Sequence, residues 1–472
     1  MPGKMFIEQV LHVEFPLSKY RTVITVSLPL VMSMAATTVM EFTDRVFLAN
    51  YSMDAIAAAL PAGIAGFLFL TFFSGIAAYI NVFIAQYKGA GSENRIGACL
   101  WQGIYFSLFS GILLLAVSLA AEPIFKLSGH PPAIQKLEVI YFRTLCLGGG
   151  FNVLGASMAT FFSGRGQTRP VMFVSVAGML FNIPLDYALI NGWWIFPELG
   201  ILGAALATVS SWVLIVLFYS LLIFDRPNIT RFNLISNRAF DRNIFSRLIK
   251  FGLPGSLQFS LDVFAFTFFV FMVGRLGASK LAINNIVLSI ESIAFMPALG
   301  FSIGLSTLTG QALGRNRPDL AITALRQTTH ILAGYILILV LVLMVAPQWV
   351  LALFLDSGNQ AVDPGLFALG IVLIRIMSLY LIFDGLYMVL IGLLKGAGDT
   401  RVIMYIIGTV SLLFLIVPIY VAVVHFKADL VVCWWILTFY VISLFASAWF
   451  RYRQGRWESI RVIETGPSAP MS

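Results

Sequence analysis

Six carboxylic acids stand in stretches of sequence that are otherwise apolar: Glu41, Asp44, Asp186, Asp262, Glu291 and Asp384. A charge at the centre of a bilayer costs at least about 2.5 to 3.5 kcal/mol on insertion scales, so an acid held there is a functional candidate. At a helical rise of about 1.5 Å per residue, Asp262 falls about 13 Å, and Asp384 and Glu291 about 15 Å, from an end of their apolar runs. All three reach the middle of a hydrocarbon core about 30 Å thick. Three carboxylates at one depth, with no base at that depth beside them, make a cation or proton site. Tyr380, one turn before Asp384 on the same helix face, can add a phenolic oxygen. A second group lies in the first half. Glu41 and Asp44 are spaced i, i+3, and Asn182 and Asp186 are spaced i, i+4 around Pro184, which frees a backbone carbonyl. Such oxygens suit sodium or a proton relay and not zinc. The plainer alternative is that an acid within two turns of a span end reaches headgroups or water, which applies most to Glu41 and less to Asp44 and Asp186.

Acids at these positions require membrane-spanning elements to hold them. Of 472 residues, 59% are hydrophobic, 14% aromatic and only 11% charged, and the mean hydropathy is +0.91. Ordinary soluble chains carry about 25% charged residues, which excludes a soluble fold. Twelve apolar runs are long enough to span: 23–47, 57–85, 97–121, 139–162, 171–190 and 201–224, then 253–273, 281–308, 320–345, 366–394, 402–424 and 430–450. If the amino terminus is cytoplasmic, 22 of the 30 Lys and Arg residues fall on the inside and five on the outside, while Arg45, Arg143 and Arg375 sit within spans. That bias explains the net charge of +8 by topology and not by nucleic acid, and it places both termini in the cytoplasm. Glu8 and Glu14 interrupt any signal-peptide core, so the first span is expected to be retained.

The two halves repeat. At an offset of 225 residues Pro29 maps to Pro254, Gln86 to Gln311 and Gly89 to Gly314, and at 232 Gly164-x-Gly166-x-Thr168-Arg169 maps to Gly396-x-Gly398-x-Thr400-Arg401. Six spans per half return the chain to the same side. The expected fold is therefore all-α and integral to the membrane, with twelve transmembrane helices in two six-helix bundles related by a parallel pseudo-twofold repeat, suited to alternating access. The domains are a cytoplasmic segment 1–22, an N-lobe 23–224, a linker 225–250, a C-lobe 251–450 and a cytoplasmic tail 451–472.

Other chemistry is missing from the sequence. The Gly-x-Gly motifs lack the third glycine of a dinucleotide fingerprint and follow helices, so they are tight turns. No phosphate-binding loop, H-E-x-x-H or nucleophile elbow occurs, and His12, His130, His330 and His425 have no metal spacing. Cys99, Cys146 and Cys433 lie in apolar segments as packing residues. Arg143 and Arg375 are expected to neutralise acids or snorkel.

Phe42-Thr43-Asp44, the turn from Gly164 to Pro170, Asn182-Ile183-Pro184-Leu185-Asp186 and Gly203-Ala204-Ala205-Leu206-Ala207-Thr208 resemble the multidrug and toxic compound extrusion (MATE) family over nearly the whole chain. Asp262 stands where the NorM-type branch has a span-seven Glu, a change that shortens the reach, and Tyr380-x-x-x-Asp384 is similar to that branch's cation motif. Asp44, Asn182, Asp186 and Thr208 match the cation or proton site of other branches, so elements of both sites are present. The resemblance implies a multi-pass transporter of the cell inner membrane, not an enzyme, that exchanges organic cations for Na+ or H+. It implies a monomer among membrane lipid, with no cofactor besides that coupling ion. The Na+ ligands it suggests are Asp262, Asp384 and Tyr380. The nearest alternative is a flippase for lipid-linked oligosaccharides, which would call for a basic cavity, and a membrane-embedded enzyme is a remoter one.

Overall fold

The computed structural model describes residues 17–126, 129–355 and 364–464. Among them twelve helices are long and apolar enough to cross a membrane, and no strand occurs. They are α1 Tyr20–Tyr51, α2 Met53–Gly89, α3 Asn94–Leu119, α4 Pro132–Ser163, α5 Arg169–Asn191, α6 Ile201–Ile223, α7 Arg242–Gly274, α8 Ala278–Gly314, α9 Pro318–Val345, α10 Pro364–Ala397, α11 Thr400–His425 and α12 Leu430–Arg453. Each coincides with one apolar run of the sequence. Several extend past the apolar run at their ends. α7 starts at Arg242, inside the stretch read as linker, because Asp241 Oδ1 accepts from the backbone N–H of Asn243 (2.9 Å) and Ile244 (3.1 Å). Prolines in the first turn open α4, α5 and α9, where a missing N–H costs nothing. In α11, two π-helical turns flank the segment holding Pro418. The segments before Leu17 and after Glu464, and Asp356, lie outside the described residues.

The chain forms two compact units. The first holds Leu28–Ser256, Gly314–Asn316 and the chain from Val462; the second holds the start of α1 to Ser27, Leu257–Leu313 and Arg317–Arg461. In the first unit α4 packs against α2, α3 and α6, and α5 lies on α6. The stretch between α6 and α7 is clamped onto this unit. Trp101 Nε1 donates to the Leu234 carbonyl (2.6 Å) and Gln102 Nε2 to the Ala239 carbonyl (3.2 Å). Phe232 is buried against Phe161, and the Arg165 guanidinium lies over both rings at 4.7 and 4.0 Å. Glu93, between α2 and α3, accepts from Arg231 (2.7 Å) and from Lys88, and these two cations hold its carboxyl down at about 2. Beyond Arg461 the chain docks here too: Val462 N–H donates to Gln86 Oε1 (2.9 Å), and Glu464 accepts from Asn243 (2.7 Å) and pairs with Arg95 (3.4 Å).

In the second unit α10 packs against α9 and α12, and α11 against α12. Tyr20, at the start of α1, is hydrogen-bonded to His330 of α9 (3.0 Å). Arg451 pairs with Asp399 (2.5 Å), which fixes the turn before α11 to the end of α12.

The repeat seen in the sequence recurs as packing. A Cβ on Gly164 would stand 2.8 Å from both the Asn81 carbonyl oxygen and Ile84; one on Gly396 would stand 2.3 Å from the Ser306 carbonyl oxygen and 2.9 Å from Thr309. The glycines differ by 232 residues and their neighbours by 225, the two offsets read from the motifs. The same close approach of a helix end to a neighbouring helix therefore occurs once in each unit. Gly166 and Gly398, with φ of +77° and +102°, make the tight turns expected of them.

Candidate functional site

The first-half residues converge from three helices of one unit. Asp44 comes from α1, Asn182 and Asp186 from α5 and Thr208 from α6, and all four are buried. The i, i+4 spacing puts Asn182 and Asp186 on one face of α5, and Pro184 leaves the carbonyl four residues earlier without its helical partner. The small residues opening α6 permit the approach. A Cβ on Gly203 would fall 2.4 Å from the Leu189 carbonyl oxygen, so only glycine fits there. Thr208 Oγ1 donates to Asp44 Oδ2 (3.1 Å). The Asp44 and Asp186 carboxyls are within hydrogen-bonding reach of one another. Among the described residues, Asp44 Oδ1 and both Asp186 oxygens are buried and accept from no N–H or hydroxyl, and both polar atoms of buried Asn182 have no hydrogen-bond partner. Buried polar atoms are ordinarily satisfied, so this cluster has the donor set of a site for a proton, a hard cation or water.

Glu41 lies at the edge of that set, close enough for its charge to act on Asp44. It is exposed and faces Arg45 at 3.9 Å on the same helix. Beyond Asp44, Tyr51 donates to Glu198 (3.0 Å), and Phe47, Tyr187 and Trp193 form a chain of edge contacts that ties α1 to α5 and the following loop.

The second-half residues gather in the other unit. Asp262 of α7, Glu291 of α8 and Asp384 of α10 lie near enough for their charges to repel. Tyr380, which shares a helix face with Asp384, also interacts with Glu291 of α8. Asp262 Oδ1 accepts from Tyr440 of α12 (3.0 Å), whose hydroxyl lies 3.0 Å from Ser411 Oγ. Ser411 directly precedes the first π-helical turn of α11. Among the described residues no three His, Cys, Asp or Glu side chains converge closely enough to hold one metal ion. The three acids share an electrostatic field without meeting at a point.

Tyr440, Tyr387, Ser411 and Lys395 belong to this second environment and were not read from the sequence. Tyr440 sits mid-span, away from the interfacial belts where tyrosine is common; that position was the available signal. Lys395 counts as a loop residue in the sequence, but α10 continues to Ala397, Lys395 is half-buried, and its charge attracts that of Asp262. Lys395 stands two residues before the end of α10, away from the depth read for the acids, and adds a cation at the edge of their field. Arg143 pairs with Glu122 (3.2 Å), Arg375 is exposed, and the three cysteines are buried.

Comparison with known proteins agrees with this architecture. The MatE family profile matches residues 29–188 and 254–421, one match in each half. The probable multidrug resistance protein NorM of Pseudomonas syringae pv. tomato is 28% identical over 377 residues, covering 79% of this chain and 81% of that protein. The multidrug resistance protein NorM of Burkholderia vietnamiensis is 27% identical over 375 residues, 79% of this chain and 80% of that one. Among solved structures, a MOP superfamily transporter from Pyrococcus furiosus superposes with a TM-score of 0.84 at 20% identity, over 96% of this chain and 98% of that one. The eukaryotic MATE transporter AtDTX14 gives 0.82 at 18% identity, over 94% and 97%. With its twelve apolar helices and a family match in both halves, the chain is a multi-pass membrane protein that belongs to the MatE family, the family its motifs resemble.

Proposed function

We propose that this protein is a secondary active transporter, and not an enzyme, that expels cationic amphipathic compounds in exchange for Na+ or H+ by alternating access. The observation that carries the reading is the first-half cluster, where among the described residues Asp44 Oδ1 and both Asp186 oxygens accept from no N–H or hydroxyl and both polar atoms of Asn182 have no hydrogen-bond partner. Two carboxyls in mutual reach in a low-dielectric setting resist ionising together unless a proton or cation joins them. Asp44, Asp186, Asn182 Oδ1 and Thr208 Oγ1 would supply the oxygens. An organic cation competes for the same negative charge, and that mutual exclusion is what exchange requires.

The second-half cluster suits the organic cation. Asp262, Glu291 and Asp384 supply negative charge, and the rings of Tyr380, Tyr387 and Tyr440 supply faces that attract cations. The names of the relatives, which speak of multidrug resistance, support this substrate class. A second reading puts the coupling ion at Asp262, Asp384 and Tyr380; the mutual repulsion of three acids favours it. A flippase for a pyrophosphate-linked sugar is not favoured, because the buried charges are mainly acidic. The 22-to-five distribution of Lys and Arg supports cytoplasmic termini and an inner-membrane location.

The test is ethidium efflux from vesicles energised with either a sodium or a proton gradient. Efflux driven by one of them, without ATP, is expected. Efflux that persists after both gradients are collapsed would rule out exchange.

A further inference from the structure

Lys and Arg are scarce on the side of the chain that carries the α3–α4 connection: five residues against 22 on the other. Two of those five, Lys126 and Lys136, line one cavity of about 400 Å³ together with Arg143. A short helix, Ala121–Lys126, and the first turns of α4 build it, so it lies where two spans end and headgroups begin. The acids of this region are already engaged. Glu122, on the cavity wall, pairs with Arg143 (3.2 Å), and the fully buried Glu138 is held by His130 (2.6 Å). Lys126 and Lys136 have no acidic partner among the described residues. Phe125 and Ile140 give the same cavity an apolar wall.

We propose that this cavity binds an anionic phospholipid, with the headgroup phosphate between Lys126, Lys136 and Arg143 and the start of the acyl chains along Phe125 and Ile140. Three cations against one paired carboxylate select for negative charge, and guanidinium and ammonium groups are the usual phosphate partners. The apolar wall and the position at the span ends favour a lipid over a free anion. The bias of basic residues toward the opposite side makes this grouping an exception to the rule that shapes the rest of the surface. An organic cation is repelled by the same charges, so the site is separate from the acidic clusters and does not depend on how transport is coupled.

Native mass spectrometry of the full chain, released from mixed phosphatidylglycerol and phosphatidylcholine, tests the proposal. The wild type should retain phosphatidylglycerol preferentially. Lys126→Gln/Lys136→Gln should lower that retention about tenfold while leaving phosphatidylcholine unchanged. Lys280→Gln, which removes a cation that pairs with Asp429 on the same side, should behave as wild type. Equal retention by the double variant and the wild type, or no preference in the wild type, overturns the site. Displacement of the lipid by millimolar inorganic phosphate overturns the assignment to a lipid.

Discussion

In the first half, Asp44 and Asp186 face one another, Thr208 donates to Asp44, and among the described residues Asn182 beside them has no hydrogen-bond partner. In the second half, Asp262, Glu291 and Asp384 stand among phenols: Tyr440 donates to Asp262, Tyr380 bonds Glu291, and Lys395 attracts Asp262. The backbone scaffold repeats and the sites do not. At the 225-residue offset Asp44 corresponds to Phe269 and Asp262 to Thr37; at 232, Asp384 corresponds to Asn152 and Asp186 to Pro418. The repeat has preserved the helix packing and lost the equivalence of the polar positions. One cluster has few donors, which suits the proton or ion proposed for it. The other is rich in them and in aromatic faces, as a site for a larger cation would be.

The largest effect that would break this contrast comes from the first half. Asp44→Asn or Asp186→Asn should weaken ion binding by about 3 kcal/mol or more, roughly a hundredfold, and reduce gradient-driven ethidium efflux to background. Wild-type efflux in both variants would remove the coupling ion from this cluster. Asp384→Asn, with Asp262→Asn close behind, should lower affinity for a lipophilic cation by about 2 kcal/mol, near thirtyfold, while sodium or proton binding stays intact. Loss of ion binding in these variants, with Asp44→Asn unaffected, would transfer coupling to the second half.

Smaller effects sharpen the comparison. Gly396→Ala and Gly164→Ala test whether the scaffold is shared. Each should destabilise the protein by between about 1 and 2 kcal/mol in thermal unfolding, with Gly396 the worse because its Cβ would meet a backbone oxygen at 2.3 Å. A neutral Gly396→Ala would argue that the helices separate freely at that turn. Thr208→Val and Tyr440→Phe each delete one donor to a carboxylate, worth about 1 kcal/mol in apparent cation affinity. Thr208→Val should be the more damaging, because among the described residues Thr208 is the one hydroxyl donating to Asp44, whereas in the second half Tyr380 still interacts with Glu291. Equal effects would erase the distinction between donor-poor and donor-rich sites.

The twelve helices were legible in the sequence because every backbone polar group in a lipid core must be satisfied within its own helix. Span formation is then a local property that hydropathy reports directly. The linker was not legible in the same way. Arg226 to Lys250 reads as a polar stretch, but Trp101 and Gln102 on α3 capture its carbonyls and Phe232 packs beneath Arg165, contacts between residues more than 60 positions apart. The partial burial of Lys395 was not legible either, because α10 continues past the apolar run to Ala397 and brings the lysine within electrostatic reach of Asp262.

By itself the sequence determined the membrane fold, the parallel repeat, and which acids stand in apolar runs. Burial cost, span length and charge bias are additive along the chain and need no partner to be read. Only the tertiary structure decided which of those acids have company. Glu41 turned to Arg45, Tyr380 turned to Glu291, and Tyr440 arrived from α12 to meet Asp262. Such pairings depend on the rotation of each helix about its axis and on its close neighbours. Those are set by contacts such as Gly203 against Leu189, which no single span encodes alone.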